Sequence, residues 1–506
     1  MVCLDCSIVP LSLITLVILG YLWVKKQFRF FEDKGIPFVK PTFPFGNLSG
    51  VGKDRHMGVF INEAYKELKG KDVVGGIFFF TSPSVMPLDL DFLKHVFVKD
   101  FQYFHDRGMY VNEKDDPLSA HLFSIAGQKW KHLRNKLSPT FTSGKMKMMH
   151  STLIAVAHEF QKYLGECADN EEEVELKDVL ARFTTDVIGS CAFGIECNSL
   201  KDPNTQFREM GKKTFELKGF DFIRILFITM FPNIGRALRM KMNKDDVTDF
   251  FMNVLRETIE YREKNDVKRN DFLSLLIQLK NTGKIEGEDT DFGKITFEEL
   301  AAQTFLFFAA GFETSSSTMT FALYELAKEQ EIQDRVREEI NRVLGEHNGE
   351  YSYDACMEMK YLDQVIKETL RIHPIVPNLV RTLNKDYKIP NRDYVFKEGT
   401  FFTVPVIGIH NDPDIYPDPA KFDPDRFTEE NIKNRHPFAW IPFGEGPRNC
   451  IGMRFGMMQT RVGLATLLSK YRIKLTSRTP IPMDYLPSSA GVLSPRDGMW
   501  LKIEKA

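Results

Sequence analysis

Cys450 sits in the run FGEGPRNCIG, Phe443 to Gly452, and its surroundings suit a sulfur that binds metal as the thiolate. Gly444, Gly446 and Gly452 let the backbone bend tightly and approach a flat partner closely, since a residue without Cβ tolerates positive φ and leaves room. Pro447 stiffens that bend. The amphipathic pattern IGMRFGMMQTRVGLATLLSKY follows directly, so the sulfur lies near a helix N-terminus whose free N–H groups and dipole favour an anion. The thiolate is the form of cysteine that ligates metal. An isolated cysteine more often behaves as a small buried hydrophobe.

A second chemical group lies on a long helix, opened by the capping box Thr296 and Glu299. Its centre, Gly311 followed by Glu313, Thr314, Ser315, Ser316 and Ser317, is poor helix-forming sequence in an otherwise apolar helix, because glycine and hydroxyl residues weaken or divert the backbone ladder. A buried helix that accepts this cost often does so for a functional distortion. Helical steps back from Thr314 place Ala310 and Leu306 on its face, while Phe305, Phe308 and Phe312 point to core or pocket edge. Trp130 and Arg134, four apart, share a helix face, as do Glu368 and Arg371 on the helix KYLDQVIKETLRI, which stops at His373-Pro374. Alone, the Glu368–Arg371 spacing is a weak signal, since a solvated ion pair contributes only roughly 0 to 1 kcal/mol.

The order Phe, two residues, Gly, one residue, Arg, one residue, Cys, one residue, Gly resembles the haem-binding loop of the cytochrome P-450 family, with every fixed position present. The resemblance implies that Cys450, framed by Phe443, Arg448 and Gly452, is the proximal ligand of haem b, where a thiolate favours O–O cleavage. Ala310 to Thr314, AGFET, matches the family's oxygen-activation motif, with Glu313 and Thr314 as acid and hydroxyl beside a groove that admits O2. In the family the Trp130–Arg134 pair reaches the haem propionates, indole N–H and guanidinium each donating to carboxylate. The resemblance implies further that Arg381 is the strand arginine that meets a propionate, that Leu306 and Ala310 face the iron, and that Val376, Pro377, Leu379 and Val380 are candidate pocket walls. Glu368 and Arg371 become a buried pair joined by Arg426 of PDRF, bracing the thiolate loop; Asp425 stands where many members carry Glu.

The runs FHDRGMYVNEKDDPLSAHLF and SPTFTSGKM resemble insect microsomal members of family six, which implies oxidation of plant toxins or insecticides. The implied enzyme is a monooxygenase that uses O2 and NADPH-derived electrons to hydroxylate or epoxidise small apolar substrates. Its partners are a flavoprotein NADPH-cytochrome reductase and, as second donor, a b-type cytochrome. Lys131, His132 and Lys136 offer a basic docking face for an acidic reductase, which a solvated helix face explains as well. Two rivals are a haem-thiolate isomerase or dehydratase, which has no need to protonate bound oxygen, and a non-catalytic membrane-tethered haem binder, which has no reason to retain Glu313 and Thr314.

The remaining sequence must position these groups. With 67 basic and 69 acidic side chains the net charge is −2, so bulk electrostatics points to no nucleic-acid partner. The seven cysteines are odd in number and scattered, which argues for a reducing compartment; Cys3 and Cys6 have CxxC spacing without a second pair. Ile8 to Val24 is an uncharged run of about 17 residues, the short end of what spans a hydrocarbon core. Lys25, Lys26 and Arg29 follow, placing the rest of the chain on the cytoplasmic side by the positive-inside rule. The reading is therefore a single-pass anchor over 1–24 in the endoplasmic reticulum membrane, a proline-containing linker over 25–50, and a haem-thiolate catalytic domain over 51–506. The fold expected is mainly α with a small β domain, the cytochrome P-450 fold behind one N-terminal transmembrane helix. Short β-branched runs from Val73 to Val85 predict a small sheet. Leu217 to Leu238, cut by Pro232, is expected mostly to pack on the core, with membrane contact the alternative. Arg262 to Phe292 reads as an exposed, mobile loop. Asn411 to Phe427, dense in Pro and Asp, is an irregular lead-in to the cysteine loop.

Overall fold

The long helix begins as its capping box dictates: Glu299 N donates to Thr296 Oγ1 at 3.1 Å and Thr296 N to Glu299 Oε2 at 3.0 Å. From there Phe297–Lys328 runs as one uninterrupted helix, buried over most of its length. The computed structural model describes residues 5–170, 172–216, 221–489 and 491–506, with side chains from residue 12 onward and only the backbone of Phe222. Around the long helix pack Leu176–Ile188, Met453–Leu468 and Lys360–Ile372. Gly311 permits a close approach: a Cβ there would stand 2.6 Å from Ile188 Cδ1, so a larger residue would force that side chain to move.

The predicted sheet forms. Val74–Phe79 and Ser82–Pro87 pair antiparallel, and Ser82–Pro87 then pairs parallel with Phe401–Val404. Phe401–Val404 pairs antiparallel with Leu379–Thr382, the strand that carries Arg381. The proline-containing segment lies on this sheet, with Val39 N donating to Gly76 O and Gly76 N to Pro37 O. Among the described residues two smaller sheets complete a mainly helical body.

The helix Asp5–Gln27 covers the expected anchor, but the side chains of residues 8–11 lie outside those described. Among the described residues no helix is long and apolar enough to cross a membrane. Residues 12–24 alone span roughly 20 Å at about 1.5 Å per residue, against a core of about 30 Å. From Leu13 to Trp23 the large apolar side chains are all exposed.

Two expectations need correction. The stretch 262–292 is not a loop throughout, because Phe272–Thr282 is a helix that buries Phe272, Leu273, Leu275, Leu276 and Leu279. Asp271 caps that helix through Ser274 N and closes a buried two-pronged ion pair with Arg262 at 2.9 and 2.6 Å. The 217–238 segment also packs less than expected. Residues 217–220 lie outside those described, and the rest forms short helices Asp221–Met230 and Pro232–Ala237. Ile228 is buried, but Ile223, Met230, Phe231, Ile234 and Leu238 are exposed. Asp221–Met230 is apolar at most positions, so a helix packed on one side leaves apolar side chains on its other face.

Candidate active site

The cysteine loop is built on close backbone contacts. Cys450 N donates to Phe443 O at 2.8 Å, closing the turn. Gly446 has φ +72°, and a Cβ there would collide with the Phe97 carbonyl oxygen. Met453–Leu468 starts three residues after the cysteine, as the sequence predicts. The Cys450 side chain is open to the cavity, yet the protein packed around it pushes its thiol up, while the Gly452 N–H and the guanidiniums of Arg134 and Arg107 favour the thiolate.

One cavity gathers the predicted side chains. Cys450, Phe443, Arg448 and Gly452 line it together with Trp130, Arg134, Leu306, Ala310, Thr314, Val376 and Leu379. Arg134 donates to the backbone oxygen and to Oδ1 of Asn449, both at 2.9 Å, tying its helix to the residue before the cysteine. Arg448 is 1% exposed and anchors the loop, donating to the carbonyls of His105 and Ile125. Its guanidinium also lies 4.6 Å over the Trp130 ring.

Behind the loop stands the bracing group. Arg371 donates to Glu368 from Nε at 2.7 Å and Nη2 at 2.8 Å, and both residues are fully buried. Arg426 Nε lies 3.5 Å from Glu368 Oε1, and its Nη2 donates to Pro417 O and Asp418 O. Arg371 also donates to His410 O and Pro419 O, and Glu368 accepts from Asp423 N. The irregular 411–427 stretch is thus pinned carbonyl by carbonyl. His410, held neutral by burial with its pKa pushed down to about 3, accepts from Ile441 N at 2.9 Å just ahead of the cysteine loop.

Three placements differ from the expected ones. Glu313 is not on the cavity wall: its carboxylate pairs with Lys177 at 2.9 Å, because position 313 is turned by about 100° from Thr314 on the helix. Thr314 is on the wall, its Oγ1 donating to Ala310 O at 2.6 Å. Arg381 is buried behind the wall over the Phe97 ring, with Nη1 donating to Val380 O. On the expected basic face Lys131 and His132 are exposed, but Lys136 turns back to Lys294 O at 2.7 Å. Sequence reading missed Arg107, which lines the cavity and donates to Phe123 O and Arg448 O. Phe123, Gln303 and Phe307 were missed as well.

Whether this site suits haem turns on its cations. Arg107, Arg381 and Arg448 all have their pKa driven down, chiefly by burial and in each case with other guanidiniums adding to the effect; Arg381 falls to about 9. The Nε atoms of Arg381 and Arg448 are buried without a hydrogen-bond partner. Buried donors of this kind cost stability unless something accepts from them. An apolar ligand with carboxylates at one edge would bring those anions to Arg107, Arg134 and Arg448 on the cavity wall, with Arg381 behind it, and the sulfur of Cys450 would ligate its metal; haem b is such a ligand.

The cytochrome P450 family model matches residues 36–502. A probable cytochrome P450 6a14 of Drosophila melanogaster is 46% identical over 490 residues, covering 95% of this chain and 96% of that one. Cytochrome P450 6A1 of Musca domestica is 46% identical over 490 residues, 96% of each, and cytochrome P450 6a9 of Drosophila melanogaster is 45% identical over 495, 97% of this chain and 98% of that one. With the thiolate loop, the arginine-rimmed cavity and this likeness along nearly the whole chain, the protein belongs to the cytochrome P450 family, as a haem-thiolate monooxygenase related to the insect family-six members.

Proposed function

We propose that the enzyme hydroxylates or epoxidises small apolar xenobiotics, such as plant toxins or insecticides, with electrons from NADPH through a flavoprotein reductase and, as second donor, a b-type cytochrome. The observation that carries this reading is the wall that the cavity offers a substrate. Leu306, Ile375, Val376, Leu379, Phe123 and Phe307 are apolar, and the hydroxyl of Thr314 stands among them in the same cavity as Cys450. Haem, when bound, supplies the activation of dioxygen. The chain supplies the ligand sulfur, the carboxylate-binding arginines, a pocket with a largely apolar wall, and a hydroxyl for the proton path.

Thr314 is the proton-handling group that faces the cavity. Its Oγ1 gives its own hydrogen to Ala310 O and keeps its lone pairs free to hold a water. Glu313 serves as a reserve acid, reached only when its carboxylate leaves Lys177. In Thr314→Val the shape stays and the hydroxyl goes. With reductase and NADPH, the yield of product per NADPH should fall by about tenfold, since a positioned proton donor is typically worth roughly 10²–10⁴ and water makes up part of the loss. Hydrogen peroxide release should rise in step, with haem content and substrate affinity almost unchanged. An unchanged ratio would remove Thr314 from the proton path. Absence of product from the unmodified protein across a panel of apolar toxins would overturn the substrate class.

The anchor, linker and catalytic partition at residues 24 and 50 belongs to the same proposal, with the catalytic domain on the cytoplasmic face of the endoplasmic reticulum. The exposed apolar side chains from Leu13 to Trp23 and the basic Lys25 and Lys26 that follow support it. Removing residues 1–24 should release most of the protein from membranes with haem retained. Full retention after high-salt washing would transfer the anchoring role to the exposed apolar side chains of 223–238.

A further inference from the structure

The guanidiniums round the cavity carry more charge than the protein returns to them. Arg107 is acted on by Arg381, Arg448 and Arg134, so the four form one electrostatic group. Among the described residues, the anions acting on that group are the Cys450 thiolate and a single carboxylate, Asp106. With the thiolate balanced by the charge of a ferric porphyrin core, four guanidiniums against one carboxylate leave three positive charges, most of which the two propionates of haem b would offset.

Asp106 sits where every element of this ring meets. Its Oδ1 accepts from Gly127 N at 2.8 Å, at the start of the helix that carries Trp130 and Arg134. The same oxygen lies 3.3 Å from Arg448 Nη1 and 2.7 Å from His105 Nδ1. Its Oδ2 accepts from Asn384 Nδ2 at 2.5 Å, and its backbone oxygen accepts from Thr382 N, next to Arg381 on the strand. One residue thus spaces the cysteine loop and the Trp130 helix through its carboxylate, and the Arg381 strand through its backbone oxygen and Asn384.

We infer that Asp106 is a positioning residue for the haem: it orients Arg448 and, as the carboxylate within a ring of four arginines, holds down the reduction potential of the iron. The inference rests on the haem-thiolate assignment. Reduction adds one electron to the haem, and a fixed negative charge nearby in a low-dielectric interior opposes that addition. Removing the charge makes reduction easier.

Asp106→Asn keeps the size of the side chain and an acceptor oxygen for Gly127 N–H but loses the charge. Spectroelectrochemical titration of the haem-loaded variant, without substrate, should show a reduction equilibrium about tenfold more favourable, an upward shift of about 59 mV for one electron. The double variant Asp106→Asn with Arg107→Gln restores the net charge and should bring the potential most of the way back. A haem-loaded Asp106→Asn at the unmodified potential would overturn the inference, as would a double variant whose potential does not return. If Asp106→Asn takes up no haem, Asp106→Glu carries the test. Haem content and potential recovered with Glu would support the charge; a Glu variant equally devoid of haem would show that only the packing of Asp106 counts, against the inference. Failure of the underlying assignment reads differently, as an unmodified protein whose ferrous carbonyl spectrum lacks the thiolate signature.

Discussion

Glu368→Ala is expected to yield protein that is almost free of haem. In the structure Glu368 accepts from Arg371 twice, from Asp423 N once, and lies within 3.5 Å of Arg426. Removing the carboxylate leaves Arg371 fully buried with no counter-charge, and breaking one partner of a buried pair costs about 3–5 kcal/mol. Against a total stability of roughly 5–15 kcal/mol that loss is large. It falls on the segment that leads to the thiolate, because Arg371 and Arg426 hold the carbonyls of residues 410, 417, 418 and 419. Glu368→Gln keeps an acceptor for Asp423 N and should retain more haem than Ala, though less than the unmodified protein. The ratio of haem to protein after purification checks this. Normal occupancy with only slower turnover would place Glu368 among the residues that touch the reaction instead.

The cysteine loop was legible because its chemistry is local: three glycines, a proline, an arginine and a helix start lie within ten residues of Cys450, and such spacing survives any tertiary context. Trp130 with Arg134, and Leu306 with Ala310 and Thr314, were legible for a related reason, since helical periodicity alone places each set on one face. What sequence could not show was which way a neighbouring position turns. Glu313 adjoins Thr314 in the chain, yet its carboxylate goes to Lys177, some 136 positions away, and only packing of the Leu176–Ile188 helix brings that lysine near. Arg107 escaped notice because it sits in irregular chain between two short elements, with no period to mark it. The helix Phe272–Thr282 was hidden by the charged residues on both sides of LSLLIQL, although Asp271 before it is an ordinary N-cap. Asp106 carried no sequence signal either, because, apart from the adjacent His105, its partners come from three separate parts of the chain.

Cys450→Ser should abolish the spectral mark of thiolate ligation. Serine keeps the size and loses the soft, electron-donating sulfur that distinguishes this haem class. No other described cysteine can take over. Burial pushes the thiols of Cys191 and Cys356 up to about 12 and raises those of Cys197 and Cys167, and none of these lines the cavity. The most direct measurement is therefore the ferrous carbonyl difference spectrum of the unmodified protein beside Cys450→Ser, at equal haem content. The unmodified protein should show the strongly red-shifted Soret band and the variant should show none of it. A red-shifted band that persists in Cys450→Ser would contradict the account at its centre.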